Sequence, residues 1–158
     1  MLFGGKKIKK EVNPVDISTK LSGELQYTID AKGRMSFPQC FKDVIGDGFM
    51  LTRGANHRLV AYNVDVWRAL SDKISAMNEG RQKEVLKQIY IKGAIAVESD
   101  KLGRILVPQT LREYAGLIKD VYVVGSDDVV EIWDKATYET YMLSISDEEL
   151  YAALEAMK

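Results

Sequence analysis

The single cysteine, Cys40, cannot close a disulfide within the chain, and the single histidine leaves too few soft ligands for a His/Cys zinc site. No apolar run approaches the roughly 20 residues that a membrane-spanning helix needs. The N-terminus, Met1-Leu2-Phe3-Gly4-Gly5-Lys6-Lys7, has no apolar stretch after its lysines and does not read as a secretory signal. These absences point to the cytoplasm. Also missing are a Gly-rich phosphate loop, a G-x-S-x-G elbow and an H-E-x-x-H pair. No enzyme, no cofactor, no metal and no small-molecule substrate is expected.

An excess of either charge is missing too, since the net charge over 158 residues is −1. The distribution is uneven. From Ser126 to the end, nine acids face two bases, a sum of −7, so residues 1–125 carry +6. A basic body can thus hide behind a neutral total.

Proline is scarce as well, and two of the three prolines close the chain's one repeated motif. Asp30-Ala31-Lys32-Gly33-Arg34-Met35-Ser36-Phe37-Pro38 returns as Asp100-Lys101-Leu102-Gly103-Arg104-Ile105-Leu106-Val107-Pro108, with Asp, Gly, Arg and Pro each 70 positions apart. The match extends upstream from Gly23 and Gly93, and downstream to Gln39 and Gln109. Further on, Gly54 and residues 59–62 match Gly125 and residues 130–133 at an offset of 71. The chain reads as two copies of one unit built around a basic turn.

Leu25, Tyr27 and Ile29 alternate with polar residues, the period of a half-buried strand. Residues 30–33 turn the chain: Asp30 can accept backbone N–H groups, and Gly33 supplies positive φ for a tight hairpin. A short strand with Met35 and Phe37 returns, and Pro38 opens a helix as its first residue, burying Phe41, Val44 and Ile45. Two strands follow at 49–52 and 59–62. Asn63 caps a helix carrying Val66, Leu70, Ile74 and Met77, and a second linking helix runs over 82–92. The second copy repeats the plan, with a turn at 100–103. Ser146 and Glu149 form a capping box, and Leu150, Leu154 and Met157 form the apolar face of a last helix. The organisation expected is a flexible extension (1–20), a first half (21–78), a linker helix (79–92), a second half (93–145) and a C-terminal helix (146–158).

Each turn presents cations beside a glycine where a partner can approach closely. The candidates are Asp30, Lys32, Gly33 and Arg34, with Asp100, Lys101, Gly103 and Arg104. Arginine suits phosphate or a guanine edge, and lysine suits phosphate as a point charge. The aspartates are better cast as turn-formers or partners of the arginines than as catalysts. A bland alternative stands beside this one, because a duplicated scaffold also duplicates its structural hairpins. Asp127, Asp128, Glu131 and Asp134 are conceivable hard-metal ligands, but solvated turn acids are the preferred reading. His57 reads as a surface residue; Trp67, Trp133, Tyr138 and Tyr141 read as core.

The doubled D-x-x-G-R…P motif, with Leu51-Thr52-Arg53-Gly54, Leu111-Arg112-Glu113-Tyr114-Ala115 and Glu131-Ile132-Trp133-Asp134, closely resembles the MraZ family of bacterial transcriptional regulators. The resemblance spans roughly residues 21–141. It implies an α+β, β-rich fold: an internally duplicated AbrB-like swapped hairpin (double-split β-barrel) with peripheral helices. It implies a ring homo-oligomer that binds repeated boxes in double-stranded DNA upstream of its own division and cell-wall operon, in the nucleoid. It also makes Asp30 and Arg34, and Asp100 and Arg104, the DNA-contacting signature. The alternative is a non-enzymatic oligomeric scaffold whose turns contact protein partners. Two features depart from the family pattern: residues 1–20 are an added arm, and Leu102 replaces the lysine found at position 32 of the first copy.

Overall fold

A computed structural model describes residues 20–158, so the arm expected over 1–20 lies outside the described residues except for Lys20. The elements are β1 (Glu24–Thr28), β2 (Arg34–Ser36), α1 (Gln39–Ile45), β3 (Gly48–Arg53), β4 (Leu59–Tyr62), α2 (Val64–Ser75) and α3 (Arg81–Leu86). A π-helical turn (Lys87–Ile91) follows, then β5 (Ile95–Glu98), β6 (Arg104–Leu106), α4 (Gln109–Ala115), β7 (Asp120–Ser126), β8 (Val129–Asp134), α5 (Lys135–Leu143) and α6 (Asp147–Ala156).

Local chemistry sets most of these ends. Pro38 and Pro108 sit in the cap position before α1 and α4, one residue earlier than first-turn prolines would. Their carbonyls accept the first helical N–H groups, from Phe41 and Lys42 and from Leu111 and Arg112. The Asn63 side chain caps α2 by accepting from the Asp65 amide at 2.8 Å. Gly116 closes α4 at φ 66°, a left-handed conformation that glycine adopts without strain. Ser146 and Glu149 form the capping box of α6.

Six strands make one antiparallel sheet in the order β1-β7-β8-β4-β3-β5, and β2 pairs with β6 in a separate ribbon. Exchanging the two copies leaves this order unchanged. The central register agrees: Leu59 faces Ile132, Val60 faces Glu131 and Ala61 faces Val130. A pseudo-twofold axis therefore passes by the Val60–Glu131 pair. Among the described residues the sheet does not close into a barrel, since β1 and β5 are its edges.

The simple hairpin expected around each turn is replaced by strand exchange. Beyond an isolated bridge between Ile29 and Met35, β1 does not pair with β2. Instead β1 pairs with β7 of the second copy, and β5 of the second copy pairs with β3 of the first. The swapped topology is the one the family resemblance implies. Its physical reason is burial: Met35 and Ile105 point inward from the paired β2–β6 ribbon, each 1% exposed. A ribbon folded back onto its own upstream strand would not bring those two side chains together.

One core serves both copies. Leu51, Leu59 and Ala61 meet Val121, Val123, Val130 and Ile132 across the sheet centre, and Phe37, Phe41, Val107 and Leu111 close over them. The opposite sheet face carries Thr52 and Val60 under the linker, and Val124 and Trp133 under Tyr138 of α5. The linker departs from the expected straight helix. Its π-helical turn frees carbonyls that β3 satisfies: the Thr52 hydroxyl donates to Tyr90 O at 2.8 Å, and Arg53 Nη2 donates to Gln88 O at 2.6 Å. Two apolar expectations are modified. Leu25 is 37% exposed because β1 is an edge strand, and Leu150 and Leu154 of α6, with Met157 just beyond its end, are exposed rather than packed.

Candidate functional site

The two turns are built identically. Asp30 Oδ1 accepts the amides of Lys32 and Arg34, each at 2.9 Å, and Asp100 Oδ1 accepts those of Leu102 and Arg104, also at 2.9 Å. The Gly33 amide donates to Asp30 O and the Gly103 amide to Asp100 O, both at 3.0 Å. Each aspartate's second oxygen holds its arginine: Arg34 Nε lies 2.8 Å from Asp30 Oδ2, and Arg104 Nε lies 3.0 Å from Asp100 Oδ2. One carboxylate thus shapes four residues and orients a guanidinium.

These bonds hold both carboxyls below the usual range. The largest cause is the amide of Arg34 or Arg104, with the amide two residues on and the guanidinium adding to it. A lowered carboxyl pKa favours the folded turn at every pH above the ordinary carboxylate range. That contribution is lost only as acid takes the pH down through the depressed value. At neutral pH both turns are fully charged and closed.

The turns lie at the two ends of the β2–β6 ribbon. The Val107 amide donates to Gly33 O at 2.8 Å, and the Phe37 amide to Gly103 O at 3.1 Å, which extends the ladder into each turn. Arg34 stands opposite Leu106, and Ser36 opposite Arg104. Residues directly opposite share a face, so both arginines are on the outer face of the ribbon while Met35 and Ile105 occupy the inner one. Their backbones are diagonal neighbours, roughly 7–8 Å apart. Each arginine spends its Nε on aspartate and, among the described residues, makes no hydrogen bond through its terminal amino groups. Two oriented, donor-rich guanidinium ends therefore face outward together. Lys32 and Lys101 are exposed near opposite ends, without occupying equivalent positions in their turns.

The glycines are not interchangeable. A Cβ at Gly33 (φ 91°) would lie 2.4 Å from Val107 O and 2.8 Å from Arg112 Nε. At Gly103 (φ 78°) it would meet only Lys42 Nζ, at 3.3 Å. Gly33→Ala is expected to cost roughly 2–4 kcal/mol of stability and Gly103→Ala roughly 1–2 kcal/mol, because both carry left-handed strain but only the first meets backbone. Thermal melts of the two variants check this, and equal losses would show that φ alone decides.

Three of the four acids considered as metal ligands have other work. Asp134 caps α5 by accepting from the Thr137 amide at 3.0 Å, Glu131 accepts from Trp133 Nε1 at 2.9 Å, and Asp127 pairs with Lys20 at 2.9 Å. Among the described residues, no three His, Cys, Asp or Glu side chains converge as a metal site requires. His57 is exposed and held against Tyr114, its Nδ1 3.1 Å from that residue's carbonyl. Trp133 and Tyr138 are core, while Trp67 and Tyr141 are only half-buried. No helix of the described residues is long and apolar enough to cross a membrane.

Sequence reading missed three cations, two of which, Arg112 and Lys42, lie against the turns. Arg112 of α4 reaches across the copies, donating from Nε to Val107 O at 2.9 Å and from Nη1 to Ala31 O at 3.3 Å. Lys42 of α1, its counterpart 70 positions earlier, lies against the second turn. Arg53 joins the linker to α4, with its guanidinium 5.7 Å from the centre of the Tyr114 ring. In the sequence, Arg53 and Arg112 stand within the segments that carry the family resemblance, and Lys42 and Arg112 match at the repeat offset.

Comparison with known proteins follows the duplication. The family described as "MraZ protein, putative antitoxin-like" matches twice in tandem, at residues 21–88 and 90–158. A protein of Acetivibrio thermocellus named transcriptional regulator MraZ is 43% identical over 120 residues, covering 75% of this chain and 84% of the relative. One of the same name from Caldanaerobacter subterraneus subsp. tengcongensis is 36% identical over 138 residues, covering 85% and 96%. A third, from Leuconostoc citreum, is 38% identical over 120 residues, covering 75% and 84%. With a doubled family match and relatives aligned along most of its length, the chain belongs to the MraZ family.

Proposed function

We propose that the chain is a non-enzymatic transcriptional regulator that binds double-stranded DNA through its two Asp–Arg turns. The observation that carries this is the outward pair of oriented guanidinium groups on one exposed ribbon face. The major groove of B-DNA admits a two-stranded ribbon, and arginine reads the guanine edge there. Asp30, Lys32 and Arg34, with Asp100, Lys101, Gly103 and Arg104, form the contact surface, while the buried Gly33 shapes the first turn beneath it. The relatives' shared name supports the regulatory role. The target proposed is a set of repeated boxes upstream of the chain's own division and cell-wall operon, and the site of action is the cytoplasmic nucleoid.

One protomer offers few phosphate contacts and carries a net charge of −1. A ring of protomers on repeated boxes would gain affinity through effective concentration, and this is the assembly proposed. Exposed Leu143, Tyr151 and Met157 give α5 and α6 apolar surface for contact between copies. A second reading, an oligomeric scaffold whose turns meet protein partners, is favoured by one observation: Leu102, at the tip of the second turn, is 74% exposed.

Fluorescence anisotropy separates the two. A labelled duplex from upstream of the chain's own gene and a scrambled duplex are titrated at two salt concentrations. Tighter, salt-sensitive binding to the upstream duplex is expected. Absent or equal binding would shift the function to the scaffold.

A further inference from the structure

The second turn is not complete within its own repeat. Lys42 belongs to α1 of the first repeat, yet its ammonium lies 3.3 Å from the position a Cβ would take on Gly103. The residue is 4% exposed. No hydrogen bond or ion pair of the described residues uses Nζ, and no side-chain nitrogen or oxygen sealed from solvent lacks a partner. The ammonium must therefore keep a narrow opening to solvent. Gly103 provides the place for it: this glycine is half-buried, whereas Gly33 in the first turn is fully buried.

The pseudo-symmetric counterpart behaves differently. Arg112 sits beneath the first turn, and its longer planar head is occupied by Val107 O and Ala31 O. It is a brace. Lysine at position 42 is shorter and leaves its three donors unused. Burying a cation without a partner is costly, and an arriving anion relieves that cost. The nearby carboxylates are engaged elsewhere: Asp100 holds Arg104 at 3.0 Å, and Asp43 accepts from Gln39 at 2.9 Å. Lys101 and Arg104 add positive charge to the same turn.

We propose that Lys42 is a DNA phosphate contact, lent by the first repeat to the second turn and reached through the gap at Gly103. The two turns then engage DNA unequally: the first through side chains of its own repeat, the second with a borrowed ammonium. This rests on the DNA-binding reading above. A phosphate contact is blind to sequence, so its loss weakens specific and non-specific duplexes alike.

The test compares wild type with Lys42→Met and Lys42→Arg. Affinities for the upstream and scrambled duplexes are measured across a salt series, and melting temperatures are measured alongside. Lys42→Met is expected to bind both duplexes several-fold more weakly. Its slope of log affinity against log salt is expected to be shallower by about 0.9 for each protomer seated on DNA. Its melting temperature is expected to equal or exceed that of wild type. Lys42→Arg keeps the charge and the steep slope. Should the methionine variant fold poorly, Lys42→Gln reads the same loss of slope. An unchanged slope in the folded neutral variants overturns the inference and leaves the DNA-binding reading standing. A wild type that binds neither duplex overturns both.

Discussion

Replacing Arg34 and Arg104 together with alanine is expected to lower DNA affinity at least about 25-fold while leaving the fold intact. Each guanidinium reading a base or phosphate contributes about 1–3 kcal/mol, or roughly 5–150-fold. Among the described residues the two sites share no hydrogen-bond partner, so their losses should largely add. A further penalty comes from Asp30 and Asp100, whose charges would face the phosphates without their arginines. Stability should change little, because the side chains are 42% and 36% exposed and surface ion pairs contribute little. The amide bonds that shape each turn run from backbone to aspartate and survive the change. Anisotropy with a parallel thermal melt provides both readings. Full affinity in the double variant would remove the turns from the DNA interface.

The second large effect concerns the joint between the copies. Phe49 is 1% exposed and stacks on Phe37, with ring centres 4.8 Å apart. It faces Val97 of the exchanged strand β5, and the amide of Phe37 bonds the Gly103 carbonyl of the second turn. Phe49→Ala would leave a cavity where a strand and a turn of the second copy meet the first. Such truncations cost about 3–5 kcal/mol, a large share of the roughly 5–15 kcal/mol that holds a typical domain. The melting temperature should fall by about 10 °C or more. Calorimetry decides the point. A fall of only about 3 °C would mean that the joint collapses around the gap and that the copies are held mainly at the sheet centre.

The turns were legible in the sequence because their forces are local. An aspartate that accepts the amides two and four residues on, and a glycine with positive φ, need no knowledge of the rest of the chain. The swapped pairing was not legible from periodicity. Alternation at Leu25, Tyr27 and Ile29 announces a strand but not its partner, and the partner chosen lies in the other repeat. Family resemblance carried that information instead.

The sequence match of Gly54 with Gly125 also misleads. Gly125 lies in β7, where a Cβ would strike Ser22 N at 2.4 Å, while Gly54 lies beyond the end of β3. The strand pairing equates Leu51, opposite Ala61, with Val123, opposite Ile132. Two extra residues therefore fall before β7, and the following connection is one residue shorter in the second copy, which leaves the net offset of 71. The roles of Lys42 and Arg112 were hidden for a similar reason. Two cations on short helices look like solvated surface until the opposite repeat is packed against them.

Strand exchange also sets a timetable for synthesis. Gln26 of β1 pairs with Tyr122 of β7, 96 positions later. At ribosomal rates that separation is on the order of 5–20 s, during which β1 has emerged and its mate does not exist. A message cut short between the repeats would give no working half, only a chain lacking the strands it was meant to trade. The make-up of β1 suits the wait: Glu24, Gln26 and Thr28 keep it largely polar, and even in the finished molecule it stays mostly exposed at the sheet edge. A nascent strand that water tolerates is less prone to pair with the wrong neighbour before its own arrives.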